Sequence, residues 1–469
     1  SLMMDLSQDE RRQVWSILID RLESYYSATD DIPVTREFDQ EKLRCHVTSI
    51  DFDSPVETAT AIDHVVDGLK KYAVHTPHPS YFGLFNPRPN FPSIIADVIT
   101  ATLNPQMAAW SHAPFAATCE YHMIQEMGSK MGWSRQTSAG TFCSGGAEAN
   151  LTAVLASLTH KYPGYQESGA IGLVARPRIY TSAHSHHSIA RAARIAGLGM
   201  DAVSMISTDS NLRMDLKMLS QQIIQDKSDG HDPLMVAATA GTTGPGSIDP
   251  LSGISDICRS LGLWMHVDAA YGGAMRLWPE GRHHLDGIDC ADSITFDIHK
   301  WLNVPMAASL LLTRHTDILQ RTFRIAAAYM PPDSDSISQD PYTSSIQWSR
   351  RFIGLKLYMT LACFGWKGIA EMIQSTCQLG DVLRERLVSQ GWQIDNATPM
   401  PIICFSHPEL DNDQIVKICE KIVQSGKAWI STYPIDGRIC LRACITNYKT
   451  GIKEIKELVS LLQQVSFSN

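Results

Sequence analysis

The spacing of apolar positions divides the chain into three textures. Near the N-terminus, Val14, Leu18, Leu22 and Tyr25 recur at helical spacing behind Ser7-Gln8-Asp9-Glu10, a capping box in which Ser7 and Glu10 satisfy backbone donors reciprocally. Ser54-Pro55-Val56-Glu57 opens a second stripe, Ile62, Val65, Leu69 and Tyr72, with proline at the first helical position. Two amphipathic helices separated by a polar stretch cannot bury both stripes on each other. Residues 1–80 are therefore predicted to form a helical arm that packs on a partner surface such as a second subunit.

From 81 to 355 short apolar runs alternate with helical patterns. Predicted strands are 178–182, 234–239, 263–267, 293–296 and 308–312, with helices at 148–159, 187–196 and 215–225 between them. That alternation predicts an α/β unit with a mostly parallel central sheet and helices on both faces. Residues 331–347 are polar and rich in Pro, Asp and Ser, which predicts a mobile loop. From 356 to 469 a helix-rich start leads to a strand at 438–445 and a last helix at 452–465, a small C-terminal α+β domain.

Composition narrows the classes. The 469 residues are 44% hydrophobic and 19% charged, an ordinary globular balance sized for two or three structural units. The net charge of -9 comes without blocks of like charge, so no basic footprint for nucleic acid or an anionic membrane is present. No apolar run approaches the roughly 20 residues that span a bilayer. Ser1-Leu2-Met3-Met4-Asp5 lacks the charged and apolar regions of a signal peptide. Eleven scattered cysteines without a C-x-x-C pair fit reduced thiols in the cytoplasm better than a disulfide framework or a zinc site.

The candidate chemistry centres on Lys300. It closes Asp297-Ile298-His299-Lys300 after the predicted strand 293–296, while Asp268 closes the earlier strand in His266-Val267-Asp268-Ala269-Ala270-Tyr271. A lysine and an aspartate at neighbouring strand ends are what pyridoxal phosphate requires. The amine forms a Schiff base with its aldehyde, and the carboxylate keeps the pyridine nitrogen protonated so that the ring can accept electrons. Ahead of the helix at 148–159, Gly145, Gly146 and Ala147 offer free backbone N–H groups at a helix start, a cup for the phosphate. His184, His186 and His187 lack a nearby carboxylate or cysteine partner, so no metal is expected. His186 is taken as the ring that stacks on the pyridine, with His184 and His187 structural. In Gly241-Thr242-Thr243-Gly244, Thr242 suits turn packing and Thr243 a contact to the cofactor or the substrate carboxylate.

In this order the motifs resemble the group II pyridoxal-phosphate decarboxylases, among them the aromatic-L-amino-acid, tyrosine, histidine, glutamate and 2,4-diaminobutyrate decarboxylases. The similarity runs from about His78 to the C-terminus. It implies a type I aminotransferase-like fold, a homodimer, Lys300 as the Schiff-base lysine and Asp268 as the pyridinium partner. It further implies Ala270 under the ring, His186 above it, Gly146 and Ala147 at the phosphate with His299 beside them, and Thr243 near the substrate carboxylate. The segment from His78 to Phe85 looks like the family's pocket-lining stretch. Tyr81 and Phe85, with Trp110, thus become substrate candidates leaning toward a large or aromatic side chain. Tyr342 is implied as the loop tyrosine that returns a proton to Cα.

Three positions depart from the pattern. Met306-Ala307-Ala308-Ser309 stands where the family often has Tyr-Asp-Cys-Gly, Asp297 stands where the aromatic branch has an asparagine near the phosphate, and Ala108 replaces an aromatic pocket residue. The expected activity is decarboxylation of an L-amino acid to its amine and carbon dioxide. Two rivals are transamination or aldehyde-lyase chemistry on the same core, and a non-catalytic binding protein of the same fold. Intact lysine, aspartate and phosphate cup weigh against the second.

Overall fold

The computed structural model describes residues 4–325 and 339–466. The first part of the predicted loop 331–347, residues 331–338, thus lies outside the described residues. Its end does not: Pro341–Ser344 forms a turn of 3-10 helix in which Tyr342 and Thr343 are buried. Polarity alone misjudged this stretch, because the Tyr342 ring packs on Trp348 at 4.2 Å and its N–H donates to Ala108 O.

Seven strands form the central sheet: β1 (Ala139–Cys143), β2 (Pro177–Ser182), β3 (Val203–Ile206), β4 (Asp232–Thr239), β5 (Trp264–Asp268), β6 (Ser293–Phe296) and β7 (Ser309–Thr313). Their order is β1-β7-β6-β5-β4-β2-β3. All neighbours from β3 to β6 run parallel, and β7 is antiparallel to both β6 and β1. Strands β5, β6 and β7 are buried at every position. Their sequences carry no charged residue except Asp268 at the end of β5, as strands covered on both faces require, although serine, threonine and histidine interrupt the apolar positions. The two strands that the pattern missed, β1 and β3, are the sheet's edges. Both are short, and β1 dilutes its apolar residues with glycine and threonine.

A second sheet lies near the C-terminus: β8 (Gln393–Ile394), β9 (Ile402–Ser406), β10 (Ser431–Ile435) and β11 (Arg438–Cys444), in the antiparallel order β10-β11-β9-β8. Helices Asn412–Gln424 and Ile452–Ser466 close its core. Helix Leu355–Ser389 links the two layers. It breaks at Gly365, places Ile369, Ile373 and Cys377 in the large core, and gives Leu383 and Leu387 to the small one.

The arm contains three helices rather than two. Gln8–Ala28 starts on the expected capping box, Gln40–Thr48 is capped by Asp39, and Thr58–Lys71 begins after Glu57, so Pro55 precedes the helix instead of opening it. None of the three has a buried residue, and Trp15, Ile19, Leu22, Val65 and Leu69 remain exposed.

Candidate active site

The parallel register sets the site. Thr239 pairs with Asp268 across β4 and β5, and Asp268 pairs with Thr295 across β5 and β6, so three strands end at one level. Ligands of parallel sheets collect beyond such carboxyl ends. A cavity of about 200 Å³ opens there, lined by Lys300, Asp268, Asp297, His186 and the start of helix Gly146–Lys161. Ala270, Ala147, Thr243 and Phe85 also reach its wall.

Lys300 sits in the turn after β6, its Nζ 3.1 Å from Asp297 Oδ2 and 5.3 Å from the Phe85 ring centre. Asp268 is buried and held from both sides. Its Oδ1 accepts the Ala270 N–H at 3.1 Å, and its Oδ2 accepts Asn150 Nδ2 at 2.9 Å. Behind Asn150 runs a chain with one direction. Trp264 Nε1 donates to Ser293 Oγ at 2.8 Å, and Ser293 Oγ meets His266 Nδ1 at 2.9 Å. His266 Nε2 meets Asn150 Oδ1 at 3.0 Å. Because Asn150 already donates its amide to Asp268, its oxygen must accept, which leaves His266 a donor at Nε2 and an acceptor at Nδ1. Complete burial drives the His266 pKa down to about 4, consistent with that neutral ring.

The glycines fit an anion and a ring. A side chain on Gly146 would run into Asp297, since its Cβ would stand 2.9 Å from Oδ2. Gly241 turns the chain after β4 at φ +91°, a conformation in which a Cβ would meet Met400 Sδ at 2.8 Å. His299 lies beside Gly145 rather than in the cavity wall. It accepts the Ala308 N–H at 2.9 Å, and burial pulls its pKa below the ordinary imidazole value against the opposing charge of Asp297. His186, which borders the cavity, is pulled down likewise by desolvation, with Asp268 opposing. His184 instead bonds the Tyr433 hydroxyl through Nδ1 at 2.8 Å, and Thr242 Oγ1 accepts the Ser247 N–H, both structural tasks.

Besides Gly145 and His299, three further candidates lie outside the cavity wall. The Tyr81 ring packs on Trp429 while its hydroxyl accepts the Leu84 N–H, which supports the segment that presents Phe85. Trp110 donates its backbone N–H to Asp340 Oδ1 and its indole N–H to Thr118. Tyr342 packs on Trp348 as described.

The comparisons with known proteins bear on this arrangement. The pyridoxal-dependent decarboxylase conserved domain matches residues 49–407. The chain belongs to the pyridoxal-dependent decarboxylase family. Over 480 aligned residues it is 27% identical to an aromatic-L-amino-acid decarboxylase of Bacillus atrophaeus, covering 99% of this chain and 98% of that protein. Among solved structures, mouse CSAD superposes with a TM-score of 0.90 at 27% identity, covering 98% of each chain. Oryza sativa TDC with PLP and tryptamine superposes at 0.92 with 22% identity and 99% coverage of each, a likeness of fold. Membership makes this decarboxylase a pyridoxal-phosphate enzyme that removes the carboxyl group of an amino acid. No helix among its described residues is long and apolar enough to cross a membrane.

Sequence reasoning assigned no role to Asn150, Ser188 and Thr239, which line this decarboxylase's cavity, or to Arg442, which lies outside its wall. Asn150 was legible, since it falls one helical turn after Gly146 and so shares its face. Ser188 and Thr239 carried no more signal than any hydroxyl at an element's end. Arg442 on β11 is buried 5.2 Å from the Phe85 ring, with Nη2 unpartnered, and only the packing of the small sheet against the large brings it there.

Proposed function

We propose that this cavity holds pyridoxal phosphate through Lys300, Asp268, Gly146 and Ala147, and that the substrate is an L-amino acid with a large or aromatic side chain. The observation that carries the reading is the convergence of Asp268, Lys300 and a helix N-terminus on one cavity at the sheet's carboxyl edge. The bound cofactor supplies an electron sink for the bond to the departing carboxyl group. The chain's own groups do the rest. Asp268, fixed by Asn150 and Ala270, holds a proton at the pyridine nitrogen, while His186 closes one side of the cavity. Thr243 and the unpartnered donor of Arg442 orient the substrate carboxylate. Gly145 and His299 flank the phosphate.

Support for a large side chain comes from Phe85 and Tyr271, stacked at 4.3 Å in the cavity wall. The aromatic-L-amino-acid decarboxylase of Bacillus atrophaeus points the same way. Carbon dioxide release from the twenty amino acids, diaminobutyrate and cysteine sulfinate tests it, with fastest turnover on an aromatic substrate as the expected result. Equal or faster turnover on an acidic substrate would sink the aromatic reading.

The working form is a homodimer in a reducing, cytoplasmic setting. Exposed Leu84, Leu103 and Phe115 and the uncovered arm support the first, and eleven free cysteines the second. A dimer also gives Trp110, which misses the cavity of its own chain, a route to line a shared pocket. The division 1–80, 81–355 and 356–469 belongs to the same proposal, supported by the separate sheets and set against helix Leu355–Ser389, which serves both cores. Tyr342 stays the loop proton donor in this reading, which requires its ring to leave Trp348.

A further inference from the structure

Trp264, His266 and Asp268 alternate along β5 and so share one face of the strand, and Ser293 and Thr295 stand beside them in register on β6. These residues are buried, as is Asn150, which helix Gly146–Lys161 brings onto that face. Their hydrogen bonds form a chain whose two ends are fixed. At one end the Trp264 indole is a donor only, and it meets Ser293 Oγ. At the other end the Asp268 carboxylate accepts Asn150 Nδ2.

Asn150 is the link whose donor and acceptor ends have nearly the same shape, so its orientation has to be imposed by neighbours. In the orientation present, Oδ1 accepts Thr295 Oγ1 at 2.7 Å and His266 Nε2 at 3.0 Å. Its Nδ2 donates to Asp268 Oδ2 at 2.9 Å and to Ser188 Oγ at 2.7 Å. Turned over, the amide would set its oxygen against the Asp268 carboxylate and require His266 to carry its hydrogen on Nδ1. Ser293 Oγ would then face two donors, Trp264 and His266, with its own hydrogen unplaced. In so buried a site each unmade bond is costly, and the bonds of a chain with one direction strengthen one another.

We propose that His266 is a positioning residue for the decarboxylation. With its hydrogen on Nε2 it holds the Asn150 amide in the orientation that keeps a donor on Asp268, and Trp264 and Ser293 fix that tautomer from the far end of β5. The carboxylate is thereby held in one place for the cofactor ring. This rests on the reading that Asp268 meets that ring.

The tautomer is read in the unaltered, full-length chain by nitrogen-15 NMR of labelled histidine near neutral pH, with the signal assigned by its loss in His266→Gln. A hydrogen on Nε2 is expected, and a hydrogen on Nδ1 overturns the proposal whether or not any variant folds. The role is read from kcat and KM for the amino acid that releases carbon dioxide fastest, and from the visible circular dichroism of bound pyridoxal phosphate, which follows the set of the ring. His266→Phe and Asn150→Ala should each lower kcat about tenfold or more, with KM changed less than about threefold, and each should alter the dichroism per bound cofactor. In the double variant the loss should equal that of Asn150→Ala alone, because His266 acts through the amide. Losses that multiply overturn the proposal, as does a His266→Phe enzyme with the kcat and dichroism of the wild type. Asp268→Asn separates this role from the reading beneath it. If that variant leaves kcat and dichroism unchanged, Asp268 does not meet the ring. If it alters them while His266→Phe and Asn150→Ala do not, only the positioning role falls.

Discussion

At the residue scale, the site depends on two charges and the groups that hold them. Lys300→Ala should abolish turnover and the visible absorbance of the bound cofactor without lowering the melting temperature by more than a degree or two, because no other lysine lines the cavity. Asp268→Asn should still bind cofactor but lose on the order of 10²-fold in kcat, since a neutral partner cannot hold the pyridine proton. An unchanged kcat would place the ring elsewhere. His266 makes a prediction about stability. Its folded pKa of about 4 lies below the ordinary 6.5, so the unfolded chain binds a proton that the folded chain refuses. Stability contributed by the neutral ring is therefore lost as pH falls from about 6.5 toward 4, on the order of 3 kcal/mol in total. Buried Asp249, raised to about 6, works in the opposite direction between its unfolded value and 6, where folding keeps its proton. Urea midpoints for wild type minus His266→Gln isolate the histidine. A flat difference between pH 7 and 4.5 would mean that His266 titrates normally.

At the element scale, what matters is where strands and helices end. β4, β5 and β6 stop in register, and helix Gly146–Lys161 starts at the same level, so polar groups from four segments meet at one cavity. The stack of Phe85, Tyr271 and Trp301, at 4.3 and 4.6 Å, fixes the segment after β5 against the turn that carries Lys300. Tyr342 tests the one element whose function depends on movement. If its hydroxyl returns the proton to Cα, Tyr342→Phe should lower the amine yield and produce aldehyde. Wild-type rates with clean amine would leave the ring as packing against Trp348.

At the scale of the whole molecule, the arm is the open question that packing poses. Its helices bind each other through the Arg21–Asp63 ion pair, yet apolar residues line its outside. Exposed apolar stripes on this scale mark an interface. Sedimentation of the intact chain should give a dimer, and deletion of residues 1–75 should yield insoluble or inactive protein. A soluble, active monomer after that deletion would remove the dimer proposal.

The sequence by itself determined the local features: the capping box at Ser7, the buried strands as short apolar-rich segments, the glycine cup, and the order of Asp268 and Lys300 at strand ends. Each of these is set by neighbours in the chain or by burial on both faces, and both leave a pattern in one dimension. Only the tertiary structure decided what no spacing encodes. The edge strands β1 and β3 needed a sheet to join. Arg442 came to Phe85 through the packing of two layers, and Tyr342 was buried by Trp348 despite polar surroundings. Asp297 and Ser309, two separate departures along the chain, became one hydrogen-bonded unit because β6 and β7 run antiparallel side by side.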